Sequence, residues 1–179
     1  MLQGRRVLLC VTGGVAAYKS AYLARRLIEA GARVRVELSE SALEFVGAQT
    51  FAAITGEHPF ISLFDESLVS PHTELARWAD LVIVAPATAA TLGRIANGIS
   101  EDLVSATVVA TTSPVLLAPA MHTEMWEHPA TVRNMETLRG FGYHTVGPEA
   151  GALAGGDTGV GRVAEPEEIV AAAGDILGG

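Results

Sequence analysis

A loop that follows a predicted strand carries residue types suited to lining a ligand site. Residues 119–126 follow the apolar stretch 115–118 and contain a histidine, two methionines and a tryptophan. Ligands of open α/β sheets bind beyond the carboxyl ends of the strands, where this loop is expected to lie. Met and Trp are also common core residues, so an ordinary strand-to-helix loop is the alternative interpretation.

His72 is a second residue that could do chemistry. It follows Pro71 at the start of a short predicted helix. A helix N-terminus lowers the pKa of a histidine and favours the neutral imidazole, which suits a general base. A role as a helix cap or a surface residue is the alternative.

The first predicted strand, residues 6–11, leads into Gly13 and Gly14 and then into a helix. This order is typical of a mononucleotide site, because the glycines admit a phosphate and the helix N-terminus offers free N–H groups. The G-x-G-x-x-G pattern of NAD-binding proteins is absent, and a plain turn stays possible. Ser39, after the second strand, is expected to cap a helix and could also bind a phosphate oxygen.

The elements that must position these residues alternate between strand and helix. The stretch 80–86 is the most apolar strand, and the small residues 87–91 after it would let a flat ring approach. Ser100 and Asp102 are expected to cap a helix over 103–110, another is expected over 43–51, and a last one closes the chain from Glu165. The glycine-rich stretch 147–163 is expected to form no regular element and to close over a site, unless it is a disordered linker.

Composition narrows the function classes. The 179 residues predict one domain, and the net charge of −8 argues against nucleic acid as a partner. No apolar run is long enough to span a membrane, so a cytoplasmic protein without a membrane partner is expected. The single cysteine, Cys10, lies within a predicted strand, and no metal-ligand spacing is present.

Four segments in this order resemble the flavin-dependent cysteine decarboxylases, a family that includes phosphopantothenoylcysteine decarboxylase and peptidyl-cysteine decarboxylases. They are residues 13–19 (GGVAAYK), the Pro-His pair at 71–72, residues 86–91 (PATAAT) and residues 119–126 (PAMHTEMW). The resemblance implies an α/β fold with a flavodoxin-like (Rossmann-like), doubly wound parallel sheet in three layers. It also implies a single FMN-binding domain over 1–179, assembled as a trimer or dodecamer with active sites shared between subunits.

The resemblance also implies a role for each site residue. His72 is the catalytic residue, and no metal is expected. The cofactor contacts are Gly13, Gly14, Ser39, Pro86, Ala87, Thr88, Ser105 and Thr107. The substrate contacts are Pro119, Ala120, Met121, His122, Met125, Trp126 and Gly155, with residues 147–163 as a substrate clamp.

The function implied first is FMN-dependent oxidative decarboxylation of a C-terminal cysteine of a peptide to an aminoenethiol. Phosphopantothenoylcysteine decarboxylation in coenzyme A biosynthesis is the alternative, and a non-catalytic flavin-binding regulatory subunit is a remote one. Two positions depart from the family. His122 stands where an asparagine is usual, and Gly155 stands where phosphopantothenoylcysteine decarboxylases often carry a cysteine. A peptidyl-cysteine decarboxylase needs no such thiol, which favours the peptide substrate.

Overall fold

A computed structural model describes residues 2–178 and contains a five-stranded sheet in the order β2-β1-β3-β4-β5. Every pairing in it is parallel. The strands are β1 Arg6–Val11, β2 Arg33–Leu38, β3 Leu81–Ala87, β4 Val115–Pro119 and β5 His144–Thr145. This is the flavodoxin-like strand order, so the predicted fold class is confirmed.

Helices cover both faces of the sheet. They are α1 Ala17–Glu29, α2 Ala48–Thr55, α3 Pro71–Trp78, α4 Ala89–Ala96, α5 Leu103–Ala110, α6 Thr123–Trp126, α7 Pro129–Gly140 and α8 Pro166–Gly178. Successive strand residues point to opposite faces. Leu9 of β1 therefore packs with α1, α2 and α8, whereas Leu8 packs with α3, α4, α5 and α7. The result is the predicted three-layer arrangement.

The predicted helix over residues 43–51 is wrong. The chain forms a 3-10 turn, Glu40–Glu44, and α2 starts only at Ala48. Gly47 is extended, with φ −78° and ψ 141°, and it separates the two elements. Ser39 caps the 3-10 turn by accepting a hydrogen bond from the Ala42 N–H at 3.2 Å, so the predicted capping role is confirmed.

The glycine-rich stretch is also regular, contrary to the prediction. It forms an antiparallel hairpin of β6 Glu149–Ala152 and β7 Thr158–Arg162. A Cβ at Gly161 would collide with the Met121 carbonyl oxygen, and one at Gly159 would collide with the Thr123 hydroxyl. The Met121 N–H donates to the Gly161 carbonyl at 3.0 Å. Glycine at these positions therefore allows close packing of a strand rather than disorder.

Neither a membrane span nor a metal cluster occurs within residues 2–178. None of the helices there has both the length and the apolar character needed to cross a bilayer. No three His, Cys, Asp or Glu side chains in that range come together as metal ligands would.

The buried carboxyl group of Glu37 links β2 to the helical layer formed by α3, α4, α5 and α7. Glu37 is fully buried; its Oε1 accepts a hydrogen bond from the Thr107 hydroxyl at 2.7 Å, and its Oε2 lies 3.4 Å from the Cys10 sulfur. Burial raises the pKa of Glu37 to about 8, although the hydrogen bonds from Thr107 and Cys10 lower it in part. The side chain is therefore mostly neutral at pH 7.

We predict that Glu37→Gln removes a pH dependence of stability. The folded protein keeps the Glu37 proton up to its pKa of about 8, whereas an ordinary glutamate releases it near 4.5. The free energy of unfolding of the wild type should therefore fall as pH rises from 5 to 8, by on the order of 4 kcal/mol relative to the variant. Urea denaturation at several pH values measures this difference.

The exposed Glu44 provides a matched control for this change. Glu44→Gln should leave the wild-type slope in place. Parallel stability curves for wild type and Glu37→Gln between pH 5 and 8 would contradict a neutral, buried Glu37.

Candidate active site

A cavity of about 980 Å³ opens beyond the carboxyl ends of β1, β2, β3 and β4. The hairpin β6–β7 forms its remaining wall. This volume is at the upper end of the range for small-molecule sites, large enough for a cofactor together with a substrate. The lining consists of residues 13–16, Tyr18, Lys19, Ser39, Ser41, Phe45, residues 88–91, Arg94, residues 120–122, Met125, residues 152–154 and residues 161–163.

The ends of β1 and β2 form a cradle that suits a phosphate group. A Cβ at Gly13 would collide with the Ser41 side chain, so only glycine allows these two segments to lie so close. The hydroxyls of Ser39 and Ser41 lie 3.1 Å apart at the same place. Helix α1 begins beside them with no side-chain cap and no acidic residue in its first turn. Its N-terminus and the two hydroxyls can together bind an anion.

The end of β3 forms the floor of the cavity. The Thr12 hydroxyl donates to the Pro86 carbonyl at 2.5 Å and accepts from the Thr88 N–H at 3.3 Å, which ties β1 to β3. Thr88 lines the cavity, whereas Pro86 and Ala87 are buried within the strand behind it. A direct contact of Pro86 and Ala87 with a cofactor stays a prediction.

The loop after β4 supplies another wall. Ala120, Met121, His122 and Met125 line the cavity, as the loop's position after a strand led us to expect. The other three predicted substrate contacts do not line the cavity. Pro119 ends β4 and is buried, and Trp126 packs against the core beneath α3, α4, α5 and α7. Gly155 lies in the hairpin turn.

Ser105 and Thr107 lie inside α5 and are fully buried. Ser105 takes part in a capping box, in which its N–H donates to the Asp102 carboxylate at 2.8 Å. Thr107 donates to Glu37, as described above. Neither residue lines the cavity, so their predicted contact with FMN stays untested.

His72 is also absent from the lining of the cavity. It occupies the first turn of α3, and its Nδ1 atom is buried without a hydrogen-bond partner among residues 2–178. The structure of one chain therefore does not bring the predicted catalytic histidine together with the predicted binding residues.

The cavity is cationic although the protein is acidic. Lys19, Arg94 and Arg162 line it, and no aspartate or glutamate of the described part of the chain belongs to the lining. Each of the three also lies near a carboxylate outside the lining. Lys19 pairs with Glu165 at 2.8 Å, Arg162 lies 3.6 Å from the same Glu165, and Arg94 lies 3.3 Å from Asp102. Neither Arg94 nor Arg162 was predicted as a site residue from the sequence. Arg94 lies one helical turn after Thr91 on α4, a spacing that could have indicated its position.

Comparison with known proteins identifies the family. The flavoprotein family model matches residues 1–177. The coenzyme A biosynthesis bifunctional protein CoaBC of Mycobacterium tuberculosis is 52% identical over 165 residues, which cover 92% of this chain and 40% of that protein. CoaBC of Bacillus subtilis is 47% identical over 173 residues, covering 95% of this chain and 42% of that protein. The chain thus spans well under half the length of these curated relatives.

Comparison with solved structures indicates the same family. A cysteine-to-serine variant of PPC decarboxylase, in complex with pantothenoylaminoethenethiol, is 34% identical with a TM-score of 0.88, covering 99% of this chain and all of that one. The FMN-dependent cysteine decarboxylase SpaF is 29% identical with a TM-score of 0.82, covering 97% of this chain and 99% of that one. These matches confirm the predicted resemblance and, at the level of the family, the FMN cofactor. The chain belongs to the flavoprotein family of FMN-dependent cysteine decarboxylases.

Proposed function

We propose that this chain catalyses the FMN-dependent decarboxylation of phosphopantothenoylcysteine. The observation that carries the proposal is the cationic cavity at the strand ends, because FMN and this substrate both carry a phosphate and the substrate also carries a carboxylate. We place this substrate before a peptide because the CoaBC protein of Mycobacterium tuberculosis is 52% identical to the chain over 165 residues.

The residues of the cavity fit FMN. Gly13, Gly14, Ser39 and Ser41 would hold the phosphate beside the N-terminus of α1, and Thr88 would border the ring. FMN bound there would supply the redox chemistry, as an acceptor for a hydride from the carbon that bears sulfur and as a donor for its return. The protein contributes binding, orientation and the movement of protons.

The β6–β7 hairpin encloses the substrate side of the cavity. Its residues 152–154 and Arg162 line the cavity together with the loop residues Met121 and His122, against which the hairpin packs. Enclosure excludes water and strengthens the attraction between the basic side chains and an anionic substrate. We infer that the substrate carboxylate binds on this side, opposite the phosphate cradle.

We further propose that His72 acts in the cavity of a neighbouring subunit. Phe64 is 88% exposed and Val69 fully exposed, close in sequence to His72, and the cavity rim exposes Val15 and Tyr18. Large apolar side chains exposed in two regions are suited to burial between subunits. A trimer, or a dodecamer built from trimers, that joins these two regions would bring His72 to a cavity, where its imidazole can take the thiol proton.

A cysteine-ending peptide is the second candidate substrate. Gly155 favours it, because the chain has no thiol in the hairpin and the only cysteine, Cys10, is buried within β1. The structural relative SpaF shows that FMN-dependent cysteine decarboxylases share this fold.

We predict that Gly13→Ala weakens FMN binding at least tenfold. A Cβ at this position would lie 2.8 Å from the backbone carbonyl carbon of Ser41, so the phosphate cradle must open. Titration of the protein with FMN, followed by flavin fluorescence, measures the affinity. Gly140→Ala is the control, since nothing lies within 4 Å of its Cβ position. Unchanged affinity of Gly13→Ala would place the phosphate elsewhere.

We predict that His72→Asn and Gly13→Ala, assayed at an FMN concentration too low to fill the Gly13→Ala cavity, are each inactive alone but complement each other when co-expressed. A mixed oligomer contains sites with an intact cavity from one chain and His72 from another. Random mixing in equal amounts should restore about a quarter of the wild-type activity. Absence of activity in isolated mixed oligomers would show that each chain uses its own His72.

The identity of the substrate is tested by incubating the purified protein separately with phosphopantothenoylcysteine and with a cysteine-ending peptide. We expect turnover of phosphopantothenoylcysteine with a mass loss of about 44 units, which corresponds to CO₂ alone. Turnover of the peptide only, with a loss of about 46 units for CO₂ and two hydrogens, would contradict the proposed substrate.

A further inference from the structure

The two positions at which the sequence departs from its family face each other in the structure. A Cβ built at Gly155 would lie 3.1 Å from the Cε1 atom and 3.9 Å from the Nδ1 atom of His122. A side chain at position 155 would therefore press on the imidazole. The imidazole of His122 borders the space next to the hairpin turn that a side chain at position 155 would enter.

The backbone around His122 is held on two sides. Its carbonyl accepts hydrogen bonds from the N–H groups of Met125 and Trp126, both at 3.0 Å. The preceding residue, Met121, donates to Gly161 of β7. The His122 side chain makes no capping hydrogen bond to α6 and lines the cavity. The imidazole is thus placed at the cavity wall by its backbone and is available to a ligand.

The proposed reaction needs a proton donor at this wall. Loss of CO₂ from the oxidised substrate leaves an ene-thiolate, in which the electron pair of the broken C–C bond has formed a C=C bond. A saturated thiol forms only if a proton adds to the carbon that lost CO₂, which restores a C=S group, and a hydride then adds to the carbon bearing sulfur. Bound reduced FMN would supply that hydride. Without the proton, the reaction stops at the ene-thiol.

We propose that the imidazolium of His122 donates this proton. This inference rests on the proposed function, since a peptide substrate that ends as an ene-thiol would not need it. As a side-chain type, an imidazolium is a far stronger acid than an ammonium, a guanidinium or a phenol. Those three types are the ones that Lys19, Arg94, Arg162 and Tyr18 contribute to the lining. Cys10 is fully buried on the second face of the sheet and contacts Glu37 instead.

A proton donor at His122 explains why the hairpin of this chain can lack a thiol. The resemblance places a cysteine at position 155 in many phosphopantothenoylcysteine decarboxylases, and a cysteine-to-serine variant of one such enzyme holds pantothenoylaminoethenethiol. In this chain the proton donor lies in the loop after β4 instead of in the hairpin. Gly155, which has no side chain, leaves room for the imidazole of His122. Asp157, whose Oδ2 would lie 3.5 Å from the same Cβ position, also borders this space.

The test compares the products that three proteins form from phosphopantothenoylcysteine: wild type, His122→Asn and the double variant His122→Asn/Gly155→Cys. Wild type should give the saturated thiol, with a loss of about 44 mass units. His122→Asn should form this product at least a hundredfold more slowly and accumulate the ene-thiol, with a loss of about 46 units. The double variant should return to the saturated thiol, because a thiol replaces the imidazole without collision.

The ratio of saturated thiol to ene-thiol distinguishes a proton donor from a residue that only stabilises the fold. His58→Asn changes an exposed histidine outside the cavity and should leave that ratio unchanged. Saturated thiol from His122→Asn at the wild-type rate would overturn the inference and leave the proposed function intact. Failure of the wild type to form saturated thiol would overturn both.

Discussion

The structure depends on the reversal of strand order between β1 and β3. The chain leaves β1 towards the face that carries α1, and it leaves β3 towards the face that carries α4. The two connections diverge and leave a crevice at the carboxyl ends of the strands, which is the general site of ligand binding in such sheets. The close approach of Gly13 to Ser41 and the bridge from Thr12 to β3 then shape that crevice into a phosphate cradle and a floor.

Charge within this crevice differs from that of the whole chain. The net charge of −8 predicts only that the protein as a whole avoids nucleic acid. The fold gathers Lys19, Arg94 and Arg162 from three separate segments around one cavity, and within residues 2–178 it leaves acidic side chains out of the lining. The Lys19–Glu165 ion pair also joins α1 to the segment that follows the hairpin. The same groups therefore favour an anionic ligand and connect the hairpin wall to the sheet.

Patterns among neighbouring residues predicted many of the strands and helices. The other features depend on contacts between residues that lie far apart in the chain. The strand Arg6–Val11 and the helix Leu103–Ala110 were predicted with the correct bounds, because apolar runs and the cap Asp102 are visible in the sequence. The hairpin was missed because its glycines serve contacts with a loop about forty residues away in the chain. The partnership of Thr107 with Glu37 was missed for the same reason, since the two residues lie 70 positions apart. The residues around His72 carry no local pattern that would reveal the proposed contact with another subunit.

The central claim is that the crevice between β1 and β3 binds FMN, with its phosphate at the N-terminus of α1. A crystal structure of the protein with FMN tests this most directly. We expect the phosphate to contact Ser39 and Ser41, the flavin ring to lie against Thr88, and His72 of another subunit to approach the ring. A flavin bound elsewhere, or a phosphate distant from both serines, would contradict this account of the site.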